Sequence, residues 1–137
     1  MEEIIANAVA RGQKVLSEYD SKRVLAAAGI PVNREKLAKT RLEAVRFADD
    51  LGYPVVLKGC SDKAAHKTEM GLVKLKLESA EKVADAFDEI VGKGVALDGV
   101  LVGQMIQGAR EFVLGLVRDA QFGPCVMFGV GGIFTEA

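Results

Sequence analysis

The single histidine, His66, stands in a polar stretch from Ser61 to Gly71 that also gathers Lys63, Lys67, Thr68 and Glu69. An imidazole is partly neutral near neutral pH, so it has the chemistry of a phosphoryl acceptor or of a general acid and base without a special environment. Lys63 and Lys67 favour its neutral, nucleophilic form, whereas Asp62 and Glu69 oppose them. Ala64, Ala65 and Gly71 are small enough to let such a loop lie against a triphosphate, with Lys67 and Thr68 supplying charge and donors. A solvated surface loop uses the same residue types.

Lys58 directly follows Val55-Val56-Leu57, so the pattern predicts a short apolar strand ending in a cation, placed to meet a phosphate as a point charge. A lysine at a strand end also serves to keep a sheet edge soluble. Further on, Gln104-Met105-Ile106-Gln107-Gly108-Ala109-Arg110-Glu111 joins two strand-like runs. Backbone groups around Met105 could read an adenine edge, Met105 or Ile106 could pack on its face, and the Glu111 carboxylate could accept from ribose hydroxyls; otherwise Glu111 starts a strand. Gly129-Val130-Gly131-Gly132 lacks a following helix and the full glycine pattern, which excludes a Rossmann fingerprint and suggests a tight turn.

These residues need a scaffold, and 137 residues suit one domain. Half the chain (50%) is hydrophobic and the formal net charge is -1, the balance of a globular protein with neither a basic stripe for nucleic acid nor a membrane patch. The acidic start Met1-Glu2-Glu3 and the absence of any run of membrane-spanning length point to a cytoplasmic protein. Cys60 and Cys125 are far apart and outside any Cys-x-x-Cys spacing, so they read as reduced thiols rather than a disulfide or a zinc site.

The expected elements alternate. An amphipathic helix carries Ile4, Ile5, Ala8 and Val9, with Val15 and Leu16 beyond an interruption near Gly12; Ser17, reaching the amide of Asp20, caps a second helix from Glu18 to Ala28 that Gly29-Ile30-Pro31 ends. An extended segment over 31–38 precedes a helix opened by the capping box Thr40 and Glu43, with Leu42, Val45, Phe47 and Leu51 available for packing, and closed by Gly52. After the strand to Lys58 and a loop from Gly59 to Gly71, Gly71–Leu77 alternates as a strand with one face buried. Ser79 caps a helix with the stripe Val83, Ala86, Phe87 and Ile90, closed by Gly92-Lys93-Gly94, and Val100–Met105 resumes as strand. Glu111–Asp119 and Cys125–Val130 flank the turn Gln121-Phe122-Gly123-Pro124, and Ile133–Glu136 reads as a last strand. The fold class is α+β.

In this order, Leu16-Ser17-Glu18-Tyr19-Asp20-Ser21-Lys22, Ala28-Gly29-Ile30-Pro31-Val32 and Leu51-Gly52-Tyr53-Pro54-Val55-Val56-Leu57-Lys58 resemble the ATP-grasp family. Within it, His66-Lys67-Thr68-Glu69 with Gly71 and Val73, then Phe122-Gly123-Pro124 and Phe128-Gly129-Val130-Gly131-Gly132-Ile133, resemble the ADP-forming acetyl-CoA synthetase type, related to succinyl-CoA synthetase β subunits. The resemblance covers nearly the whole chain. It implies a nucleotide-binding ATP-grasp domain, truncated at its C-terminal end, with a helical entry segment over 1–30 and a nucleotide-binding α+β part over 31–137.

By that likeness Lys58 contacts the α- and β-phosphates of ATP or ADP, Gln104 to Gln107 with Met105 form the adenine-side hinge, and Glu111 holds the ribose. In the family a phosphoryl group passes from an acyl phosphate to a histidine on the CoA-binding part, then to the histidine of the His-Lys motif, which His66 matches, and finally to ADP. The complete enzyme would convert acyl-CoA, ADP and phosphate to acid, CoA and ATP, reversibly. Its CoA site would belong to an α-type domain or subunit as partner.

Two departures from the family pattern stand out. Leu72 replaces a usual second glycine, which would stiffen the phosphate loop. The magnesium ligands are expected beyond Ala137, so the chain alone is expected to be inactive and to carry no metal ligands. Strand edges left uncovered would favour a homo-oligomer. The alternatives are a different ATP-grasp ligase, the acyl-CoA-synthetase-like portion of a protein acetyltransferase, and a non-catalytic nucleotide-binding or interaction domain.

Overall fold

The computed structural model describes residues 1–61, 71–106, 108 and 111–131. The chain divides into two compact units, Met1–Met105 and Ile106–Ala137.

The first unit runs α1 (Glu2–Ala10), α2 (Glu18–Ala27), β1 (Glu35–Ala38), α3 (Arg41–Leu51), β2 (Val55–Cys60), β3 (Val73–Leu77), α4 (Ala80–Val91) and β4 (Gly99–Gln104). Its four strands form one sheet in the order β1-β4-β2-β3, every pair antiparallel. Because β1 and β2 both run against β4, they are parallel to each other, and α3 is the crossover that joins them.

The helices start where side chains can satisfy their first amides. Ser17 Oγ accepts from the Asp20 amide at 3.2 Å, and Ser79 Oγ accepts from the Lys82 amide at 3.3 Å. At α3 the full capping box is present: Thr40 Oγ1 accepts from the Glu43 amide at 3.2 Å while Glu43 Oε2 accepts from the Thr40 amide at 3.3 Å. Gly52 closes α3 at φ 84, in the region that favours glycine.

Strand alternation gives the sheet two different faces. One carries Ala38, Val55, Leu57, Leu77, Val100 and Val102, which meet Ala44 and Ala48 of α3 and Val83, Ala86, Phe87 and Ile90 of α4 in the main core. Each fully buried Val or Leu there contributes about 1.5–3 kcal/mol. The other face carries Glu35 and Leu37 of β1, Val56, Lys58 and Cys60 of β2, and Leu101 and Gly103 of β4, as the register dictates.

Several sequence expectations need correction. Val15 and Leu16 lie outside α1, of which only Ala8 is buried, and α2 stops at Ala27. In α3 the small Ala44 and Ala48 face the core, Val45, Phe47 and Leu51 flank it, and Leu42 is exposed. β2 continues through Gly59 to Cys60 because Gly59 pairs with Val100 and its amide donates to the Leu72 carbonyl at 2.8 Å, so Lys58 lies within a central strand and not at its end.

β3 does not keep a clean alternation. Its register against β2 shifts between Val55 and Leu57, Lys76 adopts φ 54, and Leu75 is left exposed while Leu77 is buried. Leu72, the departure from the family pattern, is fully buried in the main core, so it anchors the start of β3.

The second unit is a hairpin of β5 (Phe112–Asp119) and β6 (Gly123–Val130). Its turn is tighter than expected, since Gly123 and Pro124 already pair with Asp119 and Arg118. Asp119 Oδ1 accepts from the amides of Gln121 and Phe122 at 2.8 and 2.9 Å, an Asx-type turn. Phe112, Leu114 and Leu116 face Val130, Phe128 and Val126 across the ladder, and all six side chains are exposed. The expected strand Ile133–Glu136 lies outside the described residues.

Candidate functional site

On the sheet face opposite α3 and α4, Lys58 does not stand alone. Its Nζ donates to Glu18 Oε1 at 2.9 Å, and the same oxygen accepts from Lys22 Nζ at 3.0 Å. Lys22 also reaches Glu35 Oε2 at 2.6 Å. Four groups of alternating charge, Lys58, Glu18, Lys22 and Glu35, therefore run from the central strand β2 through the first turn of α2 to the edge strand β1.

The local sequence places each of them. Ser17 starts α2 just before Glu18, and Glu18 and Lys22 are one helical turn apart, so both project to the same side. Glu35 opens β1 opposite Gly103, whose missing side chain leaves room: a Cβ there would lie 3.2 Å from Asn33 Nδ2 and 3.5 Å from Val56 Cγ1. The Glu35 side chain is 8% exposed, with Oε1 buried and without a hydrogen-bond partner among the described residues. The Lys58 side chain is 33% exposed.

Burial alone would lower the Lys22 pKa, but the hydrogen bonds and attraction from Glu35 and Glu18 outweigh it and raise the ammonium above its ordinary 10.5. Lys22 is thus a permanent cation locked between two carboxylates. Lys58 is more open to solvent and is bound, among the described residues, to Glu18.

The remaining expected site residues are placed as follows. Gln104 ends β4; it pairs with Val55, so by strand alternation its side chain belongs to the face opposite Lys58, and its amide donates to the Arg34 carbonyl at 2.9 Å. The Met105 amide donates to the Pro54 carbonyl at 3.4 Å. The boundary between the two compact units falls between Met105 and Ile106, inside the stretch expected to be a hinge. Glu111 is exposed just before β5, and its carbonyl accepts from the Gly131 amide at 2.9 Å. His66, Lys67, Thr68 and Gln107 lie outside the described residues.

Sequence reasoning missed Glu18 as a partner of Lys58, and Lys22 and Glu35 as the continuation of that chain of charges. The Glu18–Lys22 spacing on a capped helix start was a readable signal for an ion pair, but nothing local reveals that α2 lies against β2 and β1. Among the described residues no group of three or more His, Cys, Asp or Glu side chains is placed to hold a metal ion. No helix among them is long and apolar enough to cross a membrane.

A family model described as an ATP-grasp domain matches residues 7–137. The chain belongs to the ATP-grasp family. This ATP-grasp chain is 40% identical over 139 residues to the β subunit of ADP-forming acetate–CoA ligase II from Pyrococcus furiosus, covering 97% of its own length and 59% of that subunit. Among solved structures it is similar to acetyl-coenzyme A synthetase 1 of Ca. Korarchaeum cryptofilum in complex with coenzyme A, Ca-AMPCP and HgCl+, with a TM-score of 0.93 and 41% identity, over 98% of this chain and 61% of that one. A second structure of that synthetase, with coenzyme A and Mg-AMPPCP and its phosphohistidine segment pointing towards the nucleotide-binding site, matches with a TM-score of 0.84 and 40% identity, over 98% and 58% of the respective chains. The ATP-grasp chain thus spans about 60% of the length of these relatives. The α+β architecture and the resemblance read from the motifs agree with these matches.

Proposed function

We propose that this chain is the nucleotide-binding part of an ADP-forming acyl-CoA synthetase, which interconverts acyl-CoA, ADP and phosphate with acid, CoA and ATP. The observation that carries the reading is Lys58: an ammonium rooted in a central strand, on the face free of the main core, in a chain similar to the β subunit of an ADP-forming acetate–CoA ligase. Phosphoryl transfer asks mainly for positioning and charge neutralisation, and a cation on a rigid strand supplies both.

In this reading Lys58 neutralises the α- and β-phosphates, with Lys67 and Thr68 adding charge and a hydroxyl donor. Gln104, Met105 and Gln107 border the adenine through the backbone, and the Glu111 carboxylate accepts from the ribose hydroxyls. His66 is the relay: an imidazole nitrogen attacks the phosphorus of the phosphohistidine on a CoA-binding α-type partner, forming a new N–P bond as the partner's N–P bond breaks, and the terminal oxygen of ADP then breaks the His66 N–P bond and frees the imidazole. The entry segment 1–30 precedes the nucleotide-binding part 31–137. Magnesium would accompany the nucleotide, and we place its ligands outside the described residues. The protein would be cytoplasmic, and its strand edges favour self-association.

The test is calorimetry of ADP with magnesium on the intact protein beside Lys58→Ala and Glu111→Ala, followed by a search for phosphate on His66 after mixing with the CoA-binding α-type partner, acyl-CoA and phosphate. Binding that either substitution abolishes, with acid-labile phosphate on His66, is the expected result. No nucleotide binding would replace the enzyme reading with that of an interaction domain. Binding without phosphohistidine would leave a nucleotide sensor.

A further inference from the structure

We propose that Glu18 is a positioning residue for Lys58: it holds the ammonium ready above the sheet and releases it to a phosphate, while Lys22 keeps the Glu18 carboxylate compensated throughout the exchange. This rests on Lys58 being the phosphate-contacting cation of the proposed function.

A lysine on a strand has a fixed root and a mobile tip. Its four-carbon stem carries about 2 kcal/mol of rotamer entropy, and a tip that must be ordered only when the phosphate arrives pays that at the moment of binding. Glu18 removes part of this cost in advance, because its carboxylate lies 2.9 Å from the ammonium. The carboxylate itself is well placed. It belongs to the first residue of α2, next to the Ser17 cap, where the helix dipole favours negative charge.

The second half of the inference is release. A carboxylate that gave up its only cation in a half-buried place would resist the exchange. Glu18 is 24% exposed, and its Oε1 also accepts from Lys22 at 3.0 Å. Lys22 in turn cannot follow Lys58 to a phosphate, because it is bonded at 2.6 Å to Glu35, whose other oxygen is buried without a partner among the described residues. Of the two ammonium groups on one oxygen, one is therefore pinned and one is free to change partners. A phosphate, with more charge and more acceptor oxygens than a carboxylate, wins the one that is free.

The experiment compares ADP with adenosine, which lacks the phosphates, by calorimetry on the intact protein, its Glu18→Gln and Lys58→Met variants and the double variant. Glu18→Gln, which keeps shape and loses charge, is expected to weaken ADP on the order of tenfold and leave adenosine within about twofold. In the Lys58→Met background Glu18→Gln should have no further effect, since Glu18 acts on ADP only through Lys58. Glu18→Asp keeps the charge and the helix start but shortens the reach; an intermediate loss for ADP alone supports the proposal even where Glu18→Gln fails to fold.

Equal losses for ADP and adenosine, or additive losses in the double variant, would overturn the proposal and leave Glu18 a packing residue of α2. Tighter ADP binding by Glu18→Gln would also overturn it, since Glu18 would then only compete with phosphate. If Lys58→Met leaves the ADP-to-adenosine ratio unchanged, the assignment of Lys58 fails and this inference falls with it. A Lys58→Met effect without a Glu18→Gln effect sinks the inference alone.

Discussion

Lys58 Nζ and Glu18 Oε1 stand 2.9 Å apart although 40 residues separate them along the chain, so the start of α2 is tied to the centre of the sheet by charge. Both side chains are partly open to solvent, which limits what the bond adds to stability. Lys58→Ala leaves Glu18 still bonded to Lys22, and unfolding in urea should register a loss of less than about 1 kcal/mol. A loss well above that would mean that Lys58 holds the fold together, which the proposed role does not require.

Leu72 carries a larger consequence. It is fully buried in the main core, and its carbonyl accepts from Gly59 at the end of β2. Leu72→Ala should cost about 2–5 kcal/mol through lost burial and the cavity left behind, and Leu72→Gly more, because the chain also gains freedom when unfolded. Denaturant titration of both variants checks the order. Near-neutral outcomes would show that the site collapses without penalty.

Lys22 gives the stability a pH signature. Its folded pKa is raised above 10.5 by Glu35 and Glu18 against the opposing effect of burial. The folded state therefore holds this proton more tightly than the unfolded chain, and the contribution is fully present below 10.5 and lost as pH rises through the folded value. Melting temperatures measured from pH 9 upward should fall more steeply in the parent protein than in Lys22→Met, whose curve lacks this component. Parallel curves would refute the locked-cation description.

The hairpin offers the opposite sign. Two amide hydrogen bonds, from Phe122 and Gln121, hold the Asp119 carboxyl below its ordinary 3.8. The turn is favoured above that value and loses the benefit as pH falls through the lower folded pKa. Amide resonances of Gln121 and Phe122 followed by NMR in acid should move together with a midpoint below 3.8, and Asp119→Asn should abolish that titration.

The caps were legible because their chemistry is local: Ser17, Thr40 with Glu43, and Ser79 each bond an amide three residues on, as the spacing announces. The stripe Val83, Ala86, Phe87 and Ile90 was equally plain, since four apolar residues at helical spacing have one face to bury. The place of Lys58 within β2 was not. Gly59 and Cys60 look like loop in isolation, and only the pairing of Gly59 with Val100 and Cys60 with Gly99 extends the strand. The same holds for Leu75, which a bulge against β2 turns outward despite an alternating pattern. The ion chain around Lys58 required the docking of α2, a tertiary fact that no window of sequence encodes.

β2 is hydrogen-bonded on both sides, to β3 and to β4, whereas β1 and β3 are the outer strands of the sheet. Amide protons of Val56, Leu57 and Lys58 should accordingly be among the slowest in the first unit to trade with deuterium, while those of the outer strands go early. The rim can breathe without shifting the root of an ammonium asked to meet a moving phosphate. Precision at that atom is thereby separated from looseness elsewhere, and warming the protein should blur its margins well before it blurs the aim of Lys58.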